Sequence, residues 1–258
     1  MLELKNIYKI FNKGTVNEST LFNDFNFSVK KGEFVSVIGS NGSGKTTLLN
    51  LVCGTILPDS GKIIISGEDV TKKTDFYRYR KIGRVYQNPA FGTCANMTVL
   101  ENMALADSKN SGFGLSFLNR GKKQCEKYRL MLSELNLGLE DKMHVKAGNL
   151  SGGQRQAMSL LMSSMADIDF LILDEHTAAL DPKTSEIIMK LTDKIVSENN
   201  ITALMVTHNL RYAVEYGTRL VMMHEGKSVI DICGEEKKNK KVEDLLDVFA
   251  KISVELGN

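Results

Sequence analysis

The stretch "GSNGSGKTT" (39–47) satisfies the spacing G-x-x-x-x-G-K-[ST], with Gly39, Gly44, Lys45 and Thr46 at the fixed positions. Glycines let such a loop curl until its backbone N–H groups face inward around phosphate oxygens. The helix expected from "KTTLLNLV" adds the partial positive charge of its N-terminus. Lys45 would then supply a point charge for the β- and γ-phosphates, and the Thr46 hydroxyl a ligand for Mg²⁺. Ser40, Asn41, Gly42, Ser43 and Thr47 fill out the same cradle. The chemistry this predicts is the binding of a nucleoside triphosphate.

A second group of residues stands in "LILDEHTAALDP" (171–182), where Asp174 and Glu175 emerge together at the end of an apolar run. Successive strand residues point to opposite faces, so these acids cannot act as one facing pair. Beside a phosphate loop, Asp174 reads as the second Mg²⁺ contact and Glu175 as the group that polarises an attacking water. A third candidate is "LSGGQRQ" (150–156). Ser151 is a good N-cap, and Gly152 and Gly153 leave bare N–H groups at the start of a helix over 154–165, a second terminus able to hold an anion.

The elements that must position these residues follow from pattern. Residues 1–85 read as β-rich, with "EFVSVIGS" a buried strand ending at the phosphate loop and "GKIIISGEDV" another strand bounded by turn residues. From about 90 to 165, "MTVLENMAL" and "KYRLMLSELNL" carry helical periodicity, and Met158, Leu161, Met162 and Met165 form a stripe on a further helix. Residues 168–232 alternate again: strand "FLIL", helix 183–198, strand "TALMVT", a short helix and a hairpin in "TRLVMMHEGKSVID". Strand–helix alternation at both ends predicts a mostly parallel sheet flanked by helices, interrupted by a helical insertion.

The net charge of +2 gives no electrostatic footprint for nucleic acid or a membrane surface. The run "EEKKNKK" (235–241) reads as a solvated linker, and Val242, Leu245, Phe249 and Ile252 mark an amphipathic helix after it that packs on the domain. Cys53, Cys94, Cys125 and Cys233 lack metal-site spacing and fit a reducing compartment. No leader and no membrane span is expected, so action at a membrane would require a partner.

With "VYQNP", "ALD" and "VTH" added in order to the three stretches above, the chain resembles the ATP-binding cassette (ABC) family along nearly its whole length. That resemblance implies a P-loop NTPase core, α/β with a mostly parallel sheet, an N-terminal antiparallel β sub-domain and an inserted α-helical sub-domain at about 90–165. The ATPase domain would run over 1–241, with the amphipathic helix at 242–258. It implies ATP and Mg²⁺ as the bound groups and a second copy of the chain as a head-to-tail partner. Ser151, Gly152, Gly153 and Gln154 of one copy would close over the nucleotide of the other, and Asp181 would link the two sites. Gln87 would sense Mg²⁺ and the attacking water, and His208 would hold the γ-phosphate and Glu175. An aromatic ring before the phosphate loop would stack on adenine: Phe11, with Tyr8 as the alternative.

A single cassette without a membrane span or a long coiled coil resembles the separate ATPase subunit of a bacterial transporter. Its partners would be membrane-spanning permease subunits and, through them, an extracytoplasmic substrate-binding protein. It would sit peripherally on the cytoplasmic face of the plasma membrane. His176, where the family most often has proline, is similar to the wording found in uptake ATPases labelled as aromatic amino-acid importers. A packing role is expected for that histidine. The alternatives are the ATPase of an exporter and a soluble ABC ATPase of the iron–sulfur-assembly kind.

Overall fold

The computed structural model describes residues 1–108 and 121–255. The part of the expected helical zone at 109–120, and the last three residues of the expected terminal helix, lie outside the described residues. The chain divides into two compact units, one of Met1–Thr74 with Thr202–Asn258, the other of Asp75–Ile201.

The first unit opens with β1 (Leu2–Phe11), β2 (Ser19–Val29), β3 (Phe34–Gly39), α1 (Lys45–Cys53), β4 (Ser60–Ile65) and β5 (Glu68–Asp69). β2, β1, β4 and β5 form an antiparallel sheet in that order, with Leu2 facing Val29 on one side and Ile65 on the other. Alternation in β2 is what a sheet with one covered face requires: Phe22, Phe25, Phe27 and Val29 are buried between exposed neighbours. β3 behaves differently. Every residue of "FVSVIG" is buried, as expected of a strand with parallel neighbours and covered faces.

The second unit holds α2 (Asp75–Arg78), β6 (Ile82–Val85), α3 (Val99–Asp107), α4 (Lys122–Ser133), α5 (Gly152–Ser164), β7 (Phe170–Asp174) and α6 (Pro182–Glu198). β6 and β7 run parallel, with Ile82 opposite Phe170 and Val85 opposite Leu173. α3 is started by a capping box between Thr98 and Glu101, and α6 by Asp181 followed by Pro182 at the first helical position.

The chain then returns to the first unit through β8 (Thr202–Val206), α7 (Leu210–Glu215), β9 (Arg219–His224), β10 (Lys227–Cys233), α8 (Gly234–Lys238) and α9 (Val242–Glu255). β3 lies between β8 and β9 and is parallel to both, while β10 pairs antiparallel with β9. The α/β class expected from strand–helix alternation, with an antiparallel sheet at the N-terminal end, is therefore present. In α9, Leu245 is buried against Ile38, Ala213 and Leu220, with Val248, Phe249 and Ile252 packed beside it.

One expectation fails. The basic run 235–241 is not simply a solvated linker, because its first residues form α8 and Lys237 is only 3% exposed. Its Nζ donates to the carbonyls of Val214 and Tyr216 at 2.8 and 2.9 Å, satisfying acceptors at the end of α7. Burial pulls the pKa of this lysine down to about 8. Charge runs are read as solvated because ammonium groups keep their water. Here two helix-end carbonyls replace that water.

Candidate active site

In the first unit, β3 ends at Gly39 and α1 begins at Lys45, so "GSNGSGKTT" forms the turn between a buried strand and a helix. Gly44 caps the helix in the left-handed conformation at φ 105° with no side-chain cap, which leaves the first N–H groups of α1 for a ligand. Lys45 is buried, and its Nζ donates to the carbonyls of Gly39 at 2.7 Å and Ser40 at 2.8 Å, so the loop is wrapped around its own lysine. Ser43 and Gly44 are buried with it, whereas Asn41, Gly42 and Thr46 are exposed and Thr47 is half-buried.

The turn between β9 and β10 braces this loop. Gly226 donates its N–H to the Ser43 carbonyl at 3.0 Å, and Ser40 Oγ lies 3.3 Å from His224 Nδ1. Gly39 has a φ of 153°, and a Cβ there would strike the Met223 carbonyl oxygen. Gly226, at φ 73°, would strike the Leu21 carbonyl in the same way. Both glycines are required by close backbone approach. His224 was not singled out in the sequence; the only signal was its place in the "HEG" turn that follows a buried strand.

Elsewhere in this unit, Phe11 ends β1 as a residue 37% exposed, with Lys9 Nζ lying 5.5 Å from its ring centroid. Tyr8 is exposed to the same degree, so accessibility does not separate the two aromatic candidates. His208 is exposed just beyond β8, between buried Thr207 and Asn209, whose Oδ1 caps α7 by accepting from Tyr212 N at 3.2 Å.

In the second unit, β7 ends at Asp174, and Glu175 leaves it in the left-handed region at φ 48°. A non-glycine residue held there is strained, and such strain gathers at functional positions. Asp174 Oδ2 accepts from Arg84 Nη2 at 2.7 Å, an ion pair between side chains 18% and 8% exposed. Arg84 escaped the sequence reading. Its signal was a cation within the otherwise uncharged strand "IGRV".

His176 is buried, and its Nε2 lies 3.0 Å from Thr192 Oγ1. Thr192 donates its own hydrogen to the Ile188 carbonyl at 2.8 Å, so the imidazole is the donor and carries its proton on Nε2. Burial pushes the pKa down to about 4 from an ordinary 6.5. Between those pH values the unfolded chain binds a proton that the folded chain refuses, so stability falls as pH is lowered through the window. The loss amounts to about 3 kcal/mol by pH 4. Urea unfolding of the wild type and His176→Gln, whose amide can donate to the same oxygen, should give a difference that moves by that amount between pH 7 and 4. A difference constant in pH would mean that His176 titrates normally in the fold.

Ser151 caps α5 by accepting from Gln154 N at 3.3 Å, and Gln154 Oε1 in return accepts from Ser151 N at 3.3 Å. Gln154 also donates to the Leu137 carbonyl at 2.9 Å and accepts from Lys142 Nζ at 3.0 Å, which fixes the helix start to the preceding loop. Gly152 is exposed and Gly153 buried. Further along α5, Gln156 Nε2 donates to the Tyr86 carbonyl at 3.1 Å and Ser163 Oγ to the Arg84 carbonyl at 3.1 Å. Arg155 Nε donates to Thr93 Oγ1 at 2.6 Å. The glycine-opened helix is thus fastened to the segment around Gln87, which is itself exposed directly after Tyr86. Asp181 accepts from Thr184 N at 3.0 Å, and its hydrogen bonds with Thr184 hold its carboxyl below the usual range.

Hard oxygens stand in each unit: in the first, the exposed Thr46 hydroxyl; in the second, the exposed Gln87 amide and the carboxylate of Asp174, whose ion pair engages Oδ2. Each is a donor of the kind a hard cation such as Mg²⁺ takes, the rest of its ligands coming from phosphate and water.

Comparison with known proteins places this geometry in context. A family model described as "ABC transporter" matches residues 22–178. The chain is 45% identical over 258 residues to the tyrosine transport ATP-binding protein of Clostridioides difficile (strain R20291), covering 96% of this chain and 98% of that one. It is 32% identical to the phosphonates import ATP-binding protein PhnC of Lactococcus lactis subsp. cremoris (strain SK11), covering 90% and 92%. Among solved structures it is similar to the dimeric ATP-binding cassette MJ0796 in a post-hydrolysis state bound to ADP and Pi. That match has a TM-score of 0.75 and 30% identity, over 90% of this chain and 98% of that chain.

Proposed function

The chain belongs to the ABC transporter family as an ATP-binding, ATP-hydrolysing subunit, and from that premise we propose that it powers uptake of aromatic amino acids through separate membrane-spanning subunits. The observation that carries the substrate class is the 45% identity, over 96% of the chain, to a relative named for tyrosine transport. The import direction is further supported by the phosphonate importer, which matches over 90% of the chain. Among the described residues no helix is long and apolar enough to cross a membrane. The translocation path therefore belongs to partner subunits in this reading, with the chain peripheral on the cytoplasmic face and a binding protein delivering substrate outside.

The residues take the following roles in the proposal. The adenine ring stacks on Phe11, and the phosphates lie in the cradle of residues 39–47. There the ammonium of Lys45 exchanges its loop carbonyls for phosphate oxygens. Thr46, Asp174 and Gln87 hold Mg²⁺, which when bound neutralises charge on the β- and γ-phosphates. Glu175 polarises a water whose oxygen bonds to the γ-phosphorus as the bridge to ADP breaks, releasing ADP and inorganic phosphate. His208 holds the γ-phosphate in line. Ser151, Gly152, Gly153 and Gln154 of a second copy cover the same phosphate, and Asp181 links the two sites. Because ATP binds well only to the closed pair, its arrival and hydrolysis shift the dimer between closed and open populations.

The test is reconstitution. Extracted in mild detergent, the chain should co-purify with membrane-spanning subunits. In vesicles with ATP on the subunit's side, that complex should accumulate labelled tyrosine against its gradient. Accumulation of a phosphonate instead would overturn the substrate class, outward movement the direction, and purification without any membrane partner the transporter reading itself.

A further inference from the structure

We propose that Arg84 is a resident counter-cation for Asp174, which a divalent metal displaces or shares when nucleotide loads, so that the empty site does not gather metal by itself. The inference rests on the reading of Asp174 as a metal ligand.

The geometry is local to the second unit. Parallel pairing sets Arg84 on β6 opposite Ile172 on β7, two residues before Asp174. From there its guanidinium reaches forward to Asp174 Oδ2 at 2.7 Å. The same guanidinium lies 4.7 Å from the ring centroid of Tyr86, and Ser163 Oγ donates to the Arg84 carbonyl. Its backbone and head group are both held. Arginine keeps its charge at any working pH, so the carboxylate has a permanent positive neighbour.

A part-buried ion pair is a poor way to join two strands, because withdrawing both charges from water offsets much of their attraction. Apolar residues at the same places would join β6 to β7 at least as well. The pair makes physical sense if Asp174 must stay ionised for another purpose, and metal ligation is such a purpose. Without Arg84, the Asp174 carboxylate would lack this counter-charge at the strand end and attract divalent ions before nucleotide arrived. With Arg84 in place, that charge is already matched. A metal then gains enough only when it brings the phosphates with it. Arg84 is therefore a positioning residue that acts through Asp174.

The test measures metal binding instead of turnover. Mn²⁺ is titrated into the full chain by electron paramagnetic resonance, with and without a non-hydrolysable ATP analogue. Arg84→Met should bind Mn²⁺ about tenfold tighter than wild type or more, as expected when a unit charge is removed at ion-pair distance from a divalent ion. The gain should appear in the absence of nucleotide as well. Arg84→Lys, which keeps the charge, should stay within about threefold of wild type. Thermal melts should show Arg84→Met less stable when empty and shifted further upward by Mn²⁺ with analogue. Equal or weaker Mn²⁺ binding in Arg84→Met would overturn the proposal and leave Arg84 a strand-pinning residue. If the Met variant does not fold, Arg84→Gln is measured by the same criterion. Asp174→Asn in the wild-type background separates the underlying reading: if it binds Mn²⁺ with analogue as well as wild type does, Asp174 is not a metal ligand.

Discussion

Glu175→Gln should lower steady-state ATP turnover by about 10²–10⁴-fold while leaving ATP binding intact. Glutamine has the same reach and volume but cannot accept a proton or place a negative charge beside the attacking water. The backbone there is already held at φ 48°, an arrangement either side chain meets with the same strain. The local geometry should therefore survive and only the chemistry be lost. ATP would then bind and remain, so the closed pair should accumulate. Phosphate-release assays together with light scattering after gel filtration check both halves. A variant that turns over at full rate, or that stays monomeric with ATP, removes Glu175 from its assigned place.

Lys45→Met should weaken ATP binding by roughly 100-fold, the loss expected from one or two charge-assisted hydrogen bonds to phosphate. Methionine preserves much of the buried stem but leaves the Gly39 and Ser40 carbonyls without the donor that now holds them at 2.7 and 2.8 Å. The loop should loosen as well as lose its charge, so a modest fall in thermal stability should accompany the loss. Lys45→Arg is not expected to rescue binding, because a planar guanidinium does not fit where a compact ammonium is buried. Calorimetric titration with ATP decides the matter, and a change of less than threefold would show that phosphate is held without this lysine.

What could be read in the sequence was whatever is encoded locally. The cradle 39–47 needs only a strand before it, a helix after it and glycines between. The cap at Ser151 acts within one helical turn of itself, and "FLIL" ends its strand where its acids begin. Partnerships between distant residues were not visible. Arg84 meets Asp174 across 90 positions and Ser40 meets His224 across 184, and no periodicity in one stretch can announce the other. Lys237 shows the same limit from another side. A charged run looks solvated until a helix end 21 residues earlier supplies the carbonyls that accept its protons. His176 falls between the two cases: its burial follows from its place behind an apolar strand, but Thr192 as its acceptor becomes visible only in the fold.

The strand that carries the phosphate loop has a further consequence for how the molecule comes into being. β3 is complete at Gly39, yet both of its partners, β8 and β9, lie beyond residue 201. At ordinary rates of synthesis, a ribosome takes on the order of ten to thirty seconds to travel that distance. Throughout that interval six consecutive residues bound for burial have no neighbour on either edge. The nascent chain therefore passes through a stage in which this apolar strand is made but unpaired, the kind of surface that chaperones bind and that aggregates when they are scarce. Overproduction should strain this chain at that stage of its synthesis, well before its catalytic residues matter.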